Sequence, residues 1–374
     1  MCDNPTLIKN VNFGAKNTGI NYYKDCIHKM IYVPCGHCKS CIAIRQMNVV
    51  QRMQMEEKYN HLFFCTLTYN DESLPHITTS TGYKIAYADN QDFIKMAKRL
   101  RLKNAFGRPF RYYAVTELGS KGGRPHLHAI FMVPKEPGDN FLTAMNLEST
   151  MYMAVLQEWR RNYSTNKFKP EYRPLCTYVQ KWVFGKLKST YDLHYIDSKQ
   201  TDEGIADAAF YVIKYMMKKS TRETRLQQAL KLNLPEAEYE EIWKKIKSKH
   251  FESENFGQLW EYWYKDGKKV GKTIKRETYE YIQPGIRSEN TEYPVFYNTA
   301  SGRTFPLARY YKRNLLTLDD AEYYYQKRKR KDIPTAYQET EIPEETRAKT
   351  NARKLQSHIN LQEEGDITTL LFNN

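Results

Sequence analysis

The chain has 374 residues, 41% of them hydrophobic and 27% charged, a composition that buries a sizeable core and excludes an intrinsically disordered polymer. Fifty-eight Lys and Arg against 43 Asp and Glu leave a formal charge of +15, which argues for a polyanionic partner. No apolar run approaches the roughly 20 residues of a membrane helix, and the opening MCDNPTLIKN lacks the basic-then-apolar pattern of an export peptide, so the seven cysteines are expected as thiols or metal ligands in a reducing cytosol.

Residues 1–34 read as polar and irregular, and CGHCKSC (35–41) follows. It leads into IAIRQMNVVQRMQMEEKY, expected as a helix with a basic face, so residues 1–58 form a Cys-rich segment and helix. HLFFCTLTY (61–69), rich in aromatic and β-branched residues, predicts a strand. DNQDFIKMAKRLRLKN (89–104) has an Asp/Asn start and helical apolar spacing. RYYAVTEL (111–118) and RPHLHAIFMV (124–133) predict two strands flanking SKGG, a hairpin signal. A helix opened by Asp139 is expected over 139–162, with strand-like pieces around 177–184 and 193–196. GIADAAFYVIKYMMKK (204–219) predicts a helix, and 222–249 a charged helix interrupted by Pro235. After about residue 250 the pattern turns aromatic and irregular; from KRKRK (327–331) onward the chain becomes polar. The implied organisation is a sheet-bearing domain over 59–221, a helical and aromatic-rich extension over 222–326, and a partly mobile basic-to-polar tail over 327–374. The element order implies an α+β fold, a central antiparallel sheet with flanking helices on one side.

His126 and His128 sit two apart in an apolar strand, so both imidazoles project to one face. Glu117 joins that face if the hairpin loop has an even length: opposite His128 with a two-residue Gly122-Gly123 turn, opposite His126 with a four-residue loop over 120–123. An odd loop sends it to the other face. Two imidazoles and a carboxylate on one face make a three-ligand site with open positions, suited to Zn²⁺ with a water or to Mn²⁺/Mg²⁺ with phosphate oxygens. The bland alternative is two histidines on a solvated sheet face.

In the 204–219 helix, Ala209, Ile213, Met216 and Met217 form one apolar stripe, and Tyr211 and Tyr215 fall on the opposite side beside Lys214 and Lys218. Phenols one turn apart with ammonium groups around them, Lys219 included, suit a phosphate that is attacked and then held. The alternative is exposed amphipathic tyrosines. In CGHCKSC, Cys35, Cys38 and Cys41 with His37, or with Cys26 and His28, supply donors for a structural zinc; thiols without metal and another type of cluster are the alternatives.

FFCTLTYND, TELGSKGGRPHLHAIF and FYVIKYMMKK, in that order, resemble the three motifs of the HUH endonucleases. They look most like those of replication initiation proteins of gokushovirus-type microviruses, small single-stranded DNA phages. PCGHCKSCIAIRQ (34–46) and PLARYYKRNL (306–315) also look like that branch. The resemblance implies an RRM-like palm, His126 and His128 as the metal-binding pair with Glu117 as third ligand, and Tyr211 and Tyr215 as two nucleophiles. It implies Mg²⁺ or Mn²⁺ as cofactor, single-stranded DNA at a replication origin as substrate, host helicase and polymerase as partners, and the cytoplasm of a bacterial host as location. Met216-Met217 departs from the family's pattern, where a smaller or polar pair is expected. Two other readings of the residues stay open: a zinc-dependent hydrolase built on Glu117, His126 and His128, and a non-enzymatic single-stranded DNA-binding protein with stacking aromatics.

Overall fold

The computed structural model describes residues 5–9, 30–33, 35–36, 38–119, 124–166, 168–176, 181–183, 186–188, 191–196, 221–266, 268–287, 289, 291, 293–297, 304–316, 320 and 323. The chain divides into two compact units, Met53–Gly257 with Leu370–Asn374, and Met1–Arg52 with Gln258–Thr369. Among the described residues no helix is long and apolar enough to cross a membrane.

The unit of Met53–Gly257 carries a five-stranded antiparallel sheet. Its strands are β1 (Asn60–Thr68), β2 (Arg111–Leu118), β3 (Pro125–Pro134), β4 (Tyr191–Tyr195) and β5 (His250–Glu252), in the spatial order β4-β1-β3-β2-β5. Helix α1 (Lys39–Tyr59) runs directly into β1, α2 (Asn90–Leu102) lies between β1 and β2, and α3 (Phe141–Glu158) follows β3. The fold is thus α+β, as the element order implies. Strand alternation decides what each face buries. Phe63, Cys65 and Leu67 of β1 and Leu127, Ala129, Phe131 and Val133 of β3 point one way, into one core with Phe93, Met96 and Leu100 of α2 and Met151 and Val155 of α3. Each of the larger of these side chains contributes about 1.5–3 kcal/mol by leaving water. The helices therefore fix which face of β3 stays available for chemistry.

Buried charges at the edge of this core are paired. Glu158 takes Arg99, Lys103 and Arg160; burial pushes its carboxyl up, but those three cations together hold it below the usual range. Asp92 of α2 binds Arg161 and accepts from the Tyr69 hydroxyl. Two expectations for this region change. The helix over 139–162 is capped by Asn140, whose side chain accepts from Thr143 N in a reciprocal capping box, because Asp139 is already held by Arg108 and His61. That helix ends at Glu158, and Arg160–Asn162 pairs as a short strand with Tyr172–Pro174. The 222–249 stretch forms two helices, α4 (Thr221–Asn233) and α5 (Glu236–Ile246), broken at Pro235 as expected. Leu230, Leu234, Tyr239 and Ile242 close a smaller core over Ile85.

The region after residue 250 is more regular than its composition suggests. His250–Glu252 joins the central sheet as β5 against β2. In the other unit, β6 (Trp260–Lys265) and β7 (Lys268–Ile274) form an antiparallel ribbon, followed by α6 (Arg276–Ile282) and α7 (Arg309–Leu315). The PLARYYKRNL segment docks on the middle of α1: Gln51 accepts from Ala308 N and donates to Pro306 O, and Arg52 lies over the Tyr310 ring.

Candidate metal centre

β3 is the middle strand, so its outward face is flanked by β1 and β2. The register pairs Glu117 with His126 and Val115 with His128. Of the two even-loop readings, this is the four-residue one, and Gly119 N donates to Arg124 O as the last bond before the loop. Residues 120–123 themselves lie outside the described residues. On the other side of β3, Thr68 pairs with His126 and Thr66 with His128. Paired residues in an antiparallel ladder share a face, so Glu117, His126, His128, Thr66 and Thr68 stand together, opposite the helix-covered core.

The side chains converge. Nε2 of His126 and Nε2 of His128 are 3.0 Å apart. Oε2 of Glu117 lies 4.0 Å from the first and 3.5 Å from the second. Nδ1 of His126 is 3.0 Å from the carbonyl oxygen of Arg124; a carbonyl only accepts, so Nδ1 carries the proton and Nε2 presents a lone pair. Nδ1 of His128 is 3.1 Å from Thr66 Oγ1, and the Phe64 ring stacks on its imidazole. Two ring nitrogens this close, with a carboxylate beside them, call for a proton or a cation between them. Burial lowers both imidazole pKa values, that of His128 to about 3 with His126 adding to the effect. Both rings are therefore neutral at pH 7, the form that binds metal. Two imidazoles and one carboxylate, partly open to solvent, fit a divalent cation with sites left for water or phosphate oxygen.

Neighbouring residues that the sequence alone did not single out hold these ligands in place. Arg124 uses both ends: its carbonyl orients His126, while its guanidinium donates to Tyr69 O at 2.6 Å and pairs with Asp71, tying the end of β1 to the start of β3. The indole of the buried Trp159 donates to Thr68 O at 3.1 Å. At the edge of the same face, His194 and Asp192 of β4 pair at 3.3 Å; that hydrogen bond raises the histidine and lowers the carboxyl. Thr66 stands inside the FFCTLTYND stretch, but only the register shows which histidine it meets. Arg124 has no signal beyond adjacency to the histidines.

Residues 62–220 match the family model of the ORF2-type replication-associated proteins. That match supports a rolling-circle replication initiator role, and it spans Glu117, His126 and His128 as well as positions 211 and 215. No curated protein and no solved structure matches the chain. Tyr211, Tyr215, Lys214, Lys218 and Lys219 lie outside the described residues.

A second donor cluster occupies the start of α1, in the unit that includes Met1–Arg52. Cys35, Cys38 and Cys41 bring their sulfurs within 4.8 Å of one another, with Cys35 and Cys41 at 4.0 Å. The backbone N–H of Cys38 donates to Cys35 Sγ at 3.3 Å, and that of Cys41 to Cys38 Sγ at 3.4 Å. Gly36 makes the turn possible with φ of 81°, a conformation open to glycine. His37, Cys26 and His28 lie outside the described residues.

Proposed function

We propose that this protein is a metal-dependent, tyrosine-nucleophile endonuclease that nicks single-stranded DNA at an origin to start rolling-circle replication and rejoins it at the end. The observation that carries this reading is the convergence of Glu117, His126 and His128 within the segment that matches the replication-associated family. A zinc hydrolase built on the same ligands leaves that match unexplained. A purely DNA-binding protein leaves the triad unexplained.

Glu117, His126 and His128 hold the cation; Mg²⁺ or Mn²⁺ bound there polarises a phosphate oxygen and offsets charge as it develops. The hydroxyl of Tyr211 or Tyr215 attacks the scissile phosphorus. The Tyr O–P bond forms, the bond to the 3′ oxygen breaks, and that oxygen takes a proton as the phenol loses one. The products are a 5′-phosphotyrosine and a 3′-OH for a host polymerase to extend. Because one phosphodiester is exchanged for another, the link is reversible. The second tyrosine cuts the regenerated origin while the first end is still held. Lys214, Lys218 and Lys219 steady the phosphate.

The test is transfer of label to protein on a denaturing gel, with an origin-bearing oligonucleotide and Mg²⁺ or Mn²⁺. A 3′-end label is expected to move to the protein and a 5′-end label to stay with the released strand. Changing Tyr211 and Tyr215 together to Phe is expected to abolish the adduct and leave DNA binding near that of the parent. An adduct formed by the double variant puts the nucleophile elsewhere.

We infer further that Cys35, Cys38 and Cys41 hold one structural zinc with one more donor. A tetrahedral ion with Zn–S bonds near 2.3 Å sets its sulfurs about 3.8 Å apart, close to the Cys35–Cys41 separation. An iron–sulfur cluster gives each thiolate its own iron and spreads the sulfurs wider.

A further inference from the structure

The β6–β7 ribbon lies outside the metal centre's unit, and its surface chemistry is unusual for a solvated hairpin. Along β6, alternation puts Trp260, Tyr262 and Tyr264 on one face. Their ladder partners there are Ile274, Lys272 and Lys269, with a bulge at Trp263/Tyr264 that shifts the register. Lys272 Nζ stands 4.0 Å from the Trp260 ring centre, and Lys269 Nζ stands 3.6 Å from that of Tyr262. Toward the tip Tyr264 is 65% exposed, and Trp263 on the reverse face is 56% exposed. Lys265, Lys268, Lys269 and Lys272 outnumber Glu261 and Asp266 on these two strands and their turn.

Exposed rings interleaved with ammonium groups match one class of ligand well. Bases stack on aromatic faces whatever their identity, and lysines beside them meet the phosphates. A protein-binding patch is depleted in lysine at its centre, so this ribbon does not fit that pattern. In a duplex the base faces are already stacked on one another, and Tyr264 and Trp263 find only edges. We propose that the β6–β7 ribbon is a second, sequence-tolerant holding site for single-stranded DNA, stacking bases on Trp263 and Tyr264 and drawing the backbone along Lys265, Lys268, Lys269 and Lys272. The choice of DNA over RNA rests on the proposed nicking reaction; the stacking and the charge complementarity do not.

The test uses the full chain and a fluorescent 30-mer of oligo(dT), read by anisotropy with EDTA present, so that binding is measured with no cleavage and independently of the nicking reaction. Trp263→Ala with Tyr264→Ala is expected to weaken binding about tenfold or more, and Trp263→Phe with Tyr264→Phe to stay within about twofold of the parent, since a Phe ring still stacks. Changing the four lysines to Ala should lower the slope of log affinity against log salt by about 0.7 for each phosphate no longer neutralised. These side chains are exposed, so circular dichroism should be unchanged. Four outcomes overturn the proposal: the double Ala variant binding within twofold of the parent, the double Phe variant falling as far as the Ala one, an equal loss on a 30-base-pair duplex, or a loss seen only with anionic phospholipid vesicles.

Discussion

Thr66 Oγ1 is 3.1 Å from Nδ1 of His128, so Thr66→Val removes the contact that orients this imidazole while keeping the side chain's outline. A partner of this kind tunes affinity by about 10- to 100-fold, and Mn²⁺ affinity measured by titration calorimetry is expected to fall by that amount. Unchanged affinity would take Thr66 out of the centre. Glu57 poses a different question. It is buried, neither carboxylate oxygen has a hydrogen-bond partner, and burial pushes its pKa up to about 8 against the pull of Lys135. A carboxyl whose folded pKa is raised contributes fully below the unfolded value near 4.5, and that contribution is lost as pH rises through about 8. Glu57→Gln is therefore expected to stabilise the protein at pH 8 by up to a few kcal/mol and to change little at pH 4.5. Urea unfolding at both values measures it; a loss of stability at pH 8 would mean that the charged carboxylate has a stabilising role.

At the scale of elements, the β2–β3 hairpin shows how one register builds a centre. A slip by one residue would turn Glu117 to the helix-covered face, and the Gly119–Arg124 bond with the Arg124 clamp on Tyr69 and Asp71 holds the pairing observed. The Cys cluster at the start of α1 is the second such device. Protein purified without added metal is expected to carry about one zinc per chain, and Co²⁺ substitution to produce thiolate charge-transfer absorption that Cys38→Ser weakens. A folded preparation with neither would leave the three cysteines as ordinary thiols. The reading of α4 and α5 as one helix broken at Pro235 was legible because proline lacks the N–H a helix interior needs. The ribbon was not legible: its aromatics alternate with lysines and a bulge breaks the period, so neither a core strand nor a helix pattern emerges.

For the whole molecule, the +15 charge bears on how it meets DNA. Single-strand affinity is expected to fall about a hundredfold between 50 and 200 mM salt if five phosphates are contacted, because each contact releases counterion. A flat salt response, read by the same anisotropy measurement, would contradict the polyanion argument. The charge excess says nothing of where the contacts lie, since Lys and Arg are spread along the chain.

The sequence by itself determined the α+β class, the strands that bear Glu117, His126 and His128, and the cysteine spacing, because each depends on local period or short-range spacing that a chain reads along its own length. It left the hairpin loop at two even lengths, with Glu117 opposite either histidine. The tertiary structure decided that register, brought Thr66 from β1 to His128, added β5 from a stretch with no clear pattern, and replaced Asp139 by Asn140 as the cap of α3. The physical reason is the same in each case. Strand partners, buried ion pairs and the second contact of a metal-binding imidazole are chosen by groups distant in sequence, and no periodicity within one segment records them.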